Sequence, residues 1–171
     1  EFGAGFCTKG MMTGRIAIPI HNVDGHPVAY VGRWPGEPPE GTPKYKLPPG
    51  FRKSLELFNL DRARSAPSDR PLIVVEGFFD AMKLHQNGHR RVVALMGSSL
   101  STAQEELIRQ HVDRNDHIVI MLDEDEAGGA QGETDDAHDE RELRFGRGGG
   151  DAVVFHVVRS LAGWNSWRLA V

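Results

Sequence analysis

The chain has 171 residues, enough for one domain of ordinary size or one domain with a small companion. Apolar residues make up 39% and charged residues 26%, and no apolar run approaches the roughly 20 residues of a membrane-spanning helix. One cysteine, Cys7, excludes an internal disulfide and a multi-cysteine zinc site, and the eight histidines lack the close spacing of a helix-borne metal site. The net charge of −4 is unevenly spread: residues 1–70 hold ten Lys or Arg against seven acids, whereas residues 123–142 hold ten acids. Such a polarity suits nucleic acid at one end and a metal ion at the other. The opening Glu1-Phe2-Gly3-Ala4-Gly5 has no initiator Met and no basic-then-apolar signal region, which reads as a fragment of a longer, cytoplasmic protein.

In chain order, Arg15 to Ile20 and Val28 to Arg33 read as two strands. Asp24-Gly25 lies between them as a turn signal, so a hairpin is expected. Residues 34–50 are rich in Pro and Gly and read as an irregular loop, with four bases and no acid from Lys44 to Lys53. Leu55, Leu57, Phe58 and Leu60 give a short helical pattern, and Ser65 to Arg70 reads as a linker.

The rhythm then alternates strand and helix. Leu72 to Val75 is a fully apolar run, as a strand covered on both faces requires. Phe78 to Gln86 suits a helix stopped by Gly88, and Val92 to Leu95 a second strand. Ser101, with Gln104 three residues later, resembles a capping box opening a helix through His111; Ile118 to Leu122 is a third strand. This order predicts an α/β fold with a parallel sheet. From Gly128 the apolar periodicity fails among glycines and acids.

Open parallel sheets carry their chemistry at the carboxyl ends of the strands. Glu76 directly follows the first of these strands and Asp123 the third. Asp125 lies two residues beyond Asp123, and Asp80 about one helical turn beyond Glu76. Carboxylates converging on one edge repel unless a cation lies between them, and hard oxygen donors favour Mg²⁺ or Mn²⁺ over zinc.

Glu76-Gly77-Phe78-Phe79-Asp80 and Asp123-Glu124-Asp125-Glu126-Ala127-Gly128 resemble the two signature segments of TOPRIM domains, with Gly97 after the middle strand as a further match. Gly14 to Ile20, Val31-Gly32-Arg33, Pro43-Lys44-Tyr45 and Leu55 to Leu60 resemble the N-terminal subdomain of the bacterial-type DNA primase core. Gly10-Met11-Met12 and Lys46 to Gly50 are most similar to primase-like proteins of plasmids and other mobile elements. The resemblance implies a TOPRIM Rossmann-like parallel sheet at residues 71–128, preceded at residues 1–66 by a small mixed α+β subdomain forming a basic nucleic-acid groove. It also implies nucleotidyl transfer: RNA primer synthesis from ribonucleoside triphosphates on a single-stranded DNA template, as part of a larger DNA replication protein with a helicase partner. In the family, the counterpart of Glu76 serves as general base or acid. Those of Glu76, Asp123 and Asp125 hold metal, and that of Asp80 supports the site. Carried across, Arg15, Arg33 and Lys44 bind phosphates, with Tyr45 beside them.

Several features depart from the family. Leu47 stands where an Asn commonly follows the Lys-Tyr pair, and the zinc ribbon of primases must lie in a separate module. No Asp-Pro-Asp-type motif follows Gly128. Residues 129–171 are therefore expected to be a Gly- and acid-rich tail, disordered or read from a shifted frame. Two alternatives stay open: another TOPRIM phosphodiester enzyme, such as a nuclease or topoisomerase, or a non-catalytic nucleic-acid-binding remnant. A topoisomerase needs a nucleophilic tyrosine, and only Tyr30 and Tyr45 are present.

Overall fold

Two sheets share one apolar interior. A computed structural model describes residues 1–112, 117–123, 141–145 and 153–160, with Asp123 and the last two stretches described by their backbone. The first sheet is antiparallel, with strands β1 (Gly5–Phe6), β2 (Ile16–His21), β3 (Pro27–Arg33) and β4 (Tyr45–Lys46) in that order. Its hairpin is where the turn signal placed it. The Asn22 side chain adds what that signal did not: its Oδ1 accepts the N–H groups of Asp24 and His26 at 3.1 and 2.9 Å.

The second sheet contains β5 (Leu72–Val75), β6 (Val92–Ala94), β7 (Ile118–Asp123), β8 (Arg141–Phe145) and β9 (Val153–Ser160), ordered β6-β5-β7-β9-β8. All neighbours are parallel except β8, which runs antiparallel to β9. The helices are α1 (Leu60–Ala63), α2 (Phe78–Gln86) and α3 (Thr102–His111). The fold is α/β, as expected. Strand alternation divides the core. Ile73, Val75, Val92 and Ala94 meet α2 and the inner face of the first sheet, through Ile18, Ile20, Ala29 and Val31. Leu72, Val74, Val93, Leu95, Ile118 and Ile120 pack on the other face with Ile108 and Val112. The expected linker at residues 65–70 thus separates two sheets but not two cores.

The helical pattern around Leu55 to Leu60 is corrected. That stretch is a 3₁₀ turn at Lys53–Leu55, an extended crossing, and then the single turn of α1. Phe58 exchanges both backbone hydrogen bonds with Ala94, at 3.0 and 3.1 Å, and so covers the open edge of β6. Leu57 and Phe58 consequently enter opposite core layers, as a strand demands and a helix does not. Asn59 follows at φ +70°, its amide donating to the Val92 carbonyl at 2.8 Å, which prevents a continuous helix across it.

Two stretches of the tail lie in the second sheet. β8 and β9 extend the sheet, β9 pairing with β7 from Ile118↔Phe155 to Asp123↔Ser160. Val153-Val154-Phe155-His156-Val157-Val158 is rich in β-branched residues, a local strand signal hidden by the Gly-rich composition around it. Whatever a shifted frame implies for residues 124–140, 146–152 and 161–171 lies outside the described residues.

The N-terminal segment is tied to the far end of α2. Phe2 is buried against Phe58 and His85, and the Glu1 carboxylate meets buried His85 at 2.9 Å and also Arg90. Those two hydrogen bonds, His85 first, hold the Glu1 carboxyl below the usual carboxylate range.

Candidate active site at the carboxyl edge of the parallel sheet

The register of β5 against β7 sets the acidic side. Val75 pairs with Met121, so Glu76 comes level with Leu122 and beside Asp123, on adjacent parallel strands. Glu76 is further anchored by its own carbonyl, which accepts the Met96 N–H at 2.9 Å. Met96 holds φ +62°, a left-handed conformation worth roughly 1–3 kcal/mol of strain in a side-chain-bearing residue. The strain sits where β6 leaves the sheet beside the acids.

Asp80 lies in the first turn of α2, behind Gly77 at its N-terminus, where the helix dipole favours a negative charge. Its carboxylate folds back so far that a Cβ on Gly77 would collide with Oδ2. The backbone of Gly77, at φ −104°, suits any residue, so the lack of a side chain is what this position requires. Glu76 and Asp80 are both partly buried. Asp123 ends β7 between β5 and β9, while Asp125 lies outside the described residues.

The basic side approaches from the first sheet. Arg33, at the end of β3, pairs with Tyr45 of β4, and its Nε donates to Tyr45 Oη at 3.3 Å. The same guanidinium lies 4.6 Å from the ring centre of Phe79, a residue 38% exposed and next to Asp80 on α2. Tyr45 also packs near Phe78, with ring centres 6.0 Å apart. Arg33 and Tyr45 are therefore brought to the helix that carries the acidic motif. Lys44 is exposed beside them.

Arg15 is not part of that group. It is 5% exposed, donates to the carbonyls of Gly32 and Lys44 at 3.2 Å each, and lies over Trp34. Its guanidinium holds β3 to the segment entering β4.

Lys53 was not singled out from the sequence, although it closes the basic run from Lys44. Gly97 follows β6, and a Cβ there would lie 3.0 Å from Lys53 Nζ and 3.5 Å from Cε. The ammonium thus reaches the same sheet edge as the acids. Only its place at the end of a run of bases hinted at this. Nearby Glu56 has its carboxyl pushed above the ordinary range by burial.

The donors at the edge are carboxylate oxygens. Among the described residues no group of three or more His, Cys, Asp or Glu gathers closely enough to hold a metal ion. Carboxylate oxygens, the donors that Glu76 and Asp123 carry, suit Mg²⁺ or Mn²⁺ better than zinc.

Comparison with known proteins bears on the fold and the family. The Toprim-like family matches residues 73–137. The DNA primase of Synechococcus elongatus is 39% identical over 118 residues, 67% of this chain and 16% of that protein. The Aquifex aeolicus primase, solved with its zinc-binding and RNA polymerase domains, superposes with a TM-score of 0.59 at 32% identity, covering 73% of this chain and 32% of that one. A DnaG primase catalytic domain bound to single-stranded DNA gives 0.57 at 28% identity, covering 73% and 41%. The chain spans only 16% to 20% of the length of the curated relatives it matches. The chain carries a TOPRIM domain of the bacterial-type DNA primase family.

Proposed function

We propose that this chain is part of the nucleotidyl-transfer centre of a primase, which joins ribonucleotides into an RNA primer on a single-stranded DNA template. The observation that carries the reading is the β5–β7 register, which brings Glu76 and Asp123 to neighbouring strand ends, one residue out of step, on the edge that Arg33, Tyr45 and Lys53 approach. Phosphoryl transfer depends mainly on positioning and on charge stabilisation, so acids and cations converging on one edge are the parts it needs.

In this reading Glu76, Asp123 and Asp125 hold Mg²⁺ or Mn²⁺, which when bound neutralises phosphate charge. Glu76 accepts the proton of the attacking hydroxyl, and Asp80 keeps the start of α2 in place. Arg33, Lys44 and Lys53 hold phosphates, and Tyr45 borders the strand. Arg15 shapes the groove through the backbone it binds. The single-stranded DNA held by the DnaG neighbour supports the choice of template. Ribonucleoside triphosphates, a replicative helicase partner, a cytoplasmic setting and a mobile-element origin complete the proposal. Any zinc ribbon would be a separate module. Among the described residues no helix is long and apolar enough to cross a membrane.

The test is incubation of the chain with single-stranded template, labelled ribonucleotides and Mg²⁺. Template-dependent oligoribonucleotides support the reading. Strand cleavage would make the protein another kind of TOPRIM enzyme, and binding without chemistry would make it a nucleic-acid-binding remnant.

A further inference from the structure

In a capping box the Gln or Glu side chain has one task, to accept the N–H of the capping residue, and either residue can do it. Gln104 does this for Ser101, with Oε1 accepting that N–H at 3.1 Å. Its Nε2 does more. It donates to the carbonyls of Glu56 at 2.8 Å and Leu95 at 2.9 Å, and lies 3.3 Å from that of Lys53. Ser101 Oγ, besides accepting the Gln104 N–H, donates to the Ser54 carbonyl at 2.6 Å. The amide is 1% exposed, so these carbonyls have no water to replace it. A Glu would cap the helix equally well but would turn a carboxylate oxygen toward three carbonyl oxygens. Only the amide serves both sides.

What is clamped explains why this matters. The 3₁₀ turn Lys53–Leu55 contains no buried residue and no side-chain cap, so its own residues anchor it poorly. Its position rests on Gln104 and Ser101, which fasten it to Leu95 at the end of β6. From there the backbone continues through Met96, bonded to the Glu76 carbonyl, to Gly97, where the Lys53 ammonium lies.

We propose that Gln104, assisted by Ser101, is a positioning residue that holds the Lys53 ammonium at the carboxyl end of β6 to receive a nucleotide phosphate. The inference rests on the reading of this edge as a nucleotidyl-transfer centre. Placement of a charge within about an ångström governs such chemistry, so a loosened turn should weaken nucleotide binding even where the fold survives.

The experiment is a double-mutant cycle on the full chain, with Gln104→Met, Lys53→Ala and both together. It reads Mg²⁺-ATP affinity by calorimetry and KM for ribonucleotide in primer synthesis. Each single change should weaken binding about tenfold, and the double variant should be little worse than Lys53→Ala, because contacting residues couple. Ser101→Ala, which leaves the core amide in place, should give a smaller loss that likewise vanishes in the Lys53→Ala background. Such coupling through one side chain is not produced by a general loss of stability, which melting curves would report separately. If the Gln104 and Lys53 losses multiply, or Gln104→Met leaves affinity unchanged, the positioning role is wrong while the nucleotidyl-transfer reading stands. A parent chain that neither binds nucleotide nor makes primer would overturn both.

Discussion

The two sheets place functional groups by different means. In β5 all four residues are buried, and both faces of the parallel sheet are packed. Glu76 and Asp123 therefore inherit their positions from a rigid strand register. In β3, Pro27, Val28 and Tyr30 are exposed while Ala29 and Val31 are buried, so that sheet is packed from one side. Arg33 is placed by side-chain contacts with Tyr45 and Phe79 instead. The acids stand on backbone geometry, and Arg33 on side-chain stacking.

The largest effect should come from the acids. Asp123→Asn together with Asp125→Asn removes charge but little volume, and should abolish Mg²⁺ or Mn²⁺ binding measured by calorimetry while the melting temperature stays close to the parent's. Equal binding by mutant and parent would remove the metal-site assignment.

Packing offers a direct contrast between the sheets. Leu72→Ala, at a fully buried position of β5, should cost about 2–5 kcal/mol in denaturant unfolding. Val28→Ala, on the open face of β3, should change stability by about 0.5 kcal/mol or less. Comparable losses would mean that the first sheet is covered on both faces.

Next come the bases. Arg33→Ala and Lys44→Ala should each weaken single-stranded DNA binding and lower the slope of log affinity against log salt by about 0.7. Arg15→Ala should instead destabilise the fold, because two backbone carbonyls lose a buried donor. A lowered salt slope for Arg15→Ala with unchanged stability would return that residue to the phosphate-binding group.

The smallest effect concerns pH. Burial raises the Glu56 carboxyl above its ordinary value of 4.5, so the folded state holds the proton more tightly than the unfolded chain does. Its contribution is favourable at low pH and is lost as pH rises through the raised value. Glu56→Gln should therefore raise the melting temperature slightly at pH 7, with the gain disappearing below the ordinary carboxylate value. A gain that persisted at low pH would point to a cause other than this titration.

Much of the parallel sheet was legible from local signals. The run Leu72 to Val75, the helix Phe78 to Gln86 and the capping box at Ser101 each state their structure within a few residues, and their order implies strand-end acids. Where the reading went astray, the deciding contacts were distant in the chain. Leu57 and Phe58 have helical spacing but are drawn apart by the open edge of β6, whose Ala94 lies 36 residues further on. β9 has a local strand signal, yet its place beside β7 depends on pairing across residues of a different character.

The same division runs through the site. The sequence by itself determined which acids end which strands, because an apolar run followed by a carboxylate needs no partner to be recognised. It also determined the fold class and the TOPRIM resemblance. Only the tertiary structure decided which cations lie near that edge. Arg15 stands among glycine and apolar residues and Lys53 follows Arg52 at the end of a basic run, yet nothing local names the partner of either. One is drawn under Gly32 and Lys44, where backbone carbonyls need a donor, and the other is carried to Gly97 by a clamp on its own backbone. A long, flexible cationic side chain takes its role from whatever oxygen atoms the fold brings within reach, and that is a property of the assembled sheets.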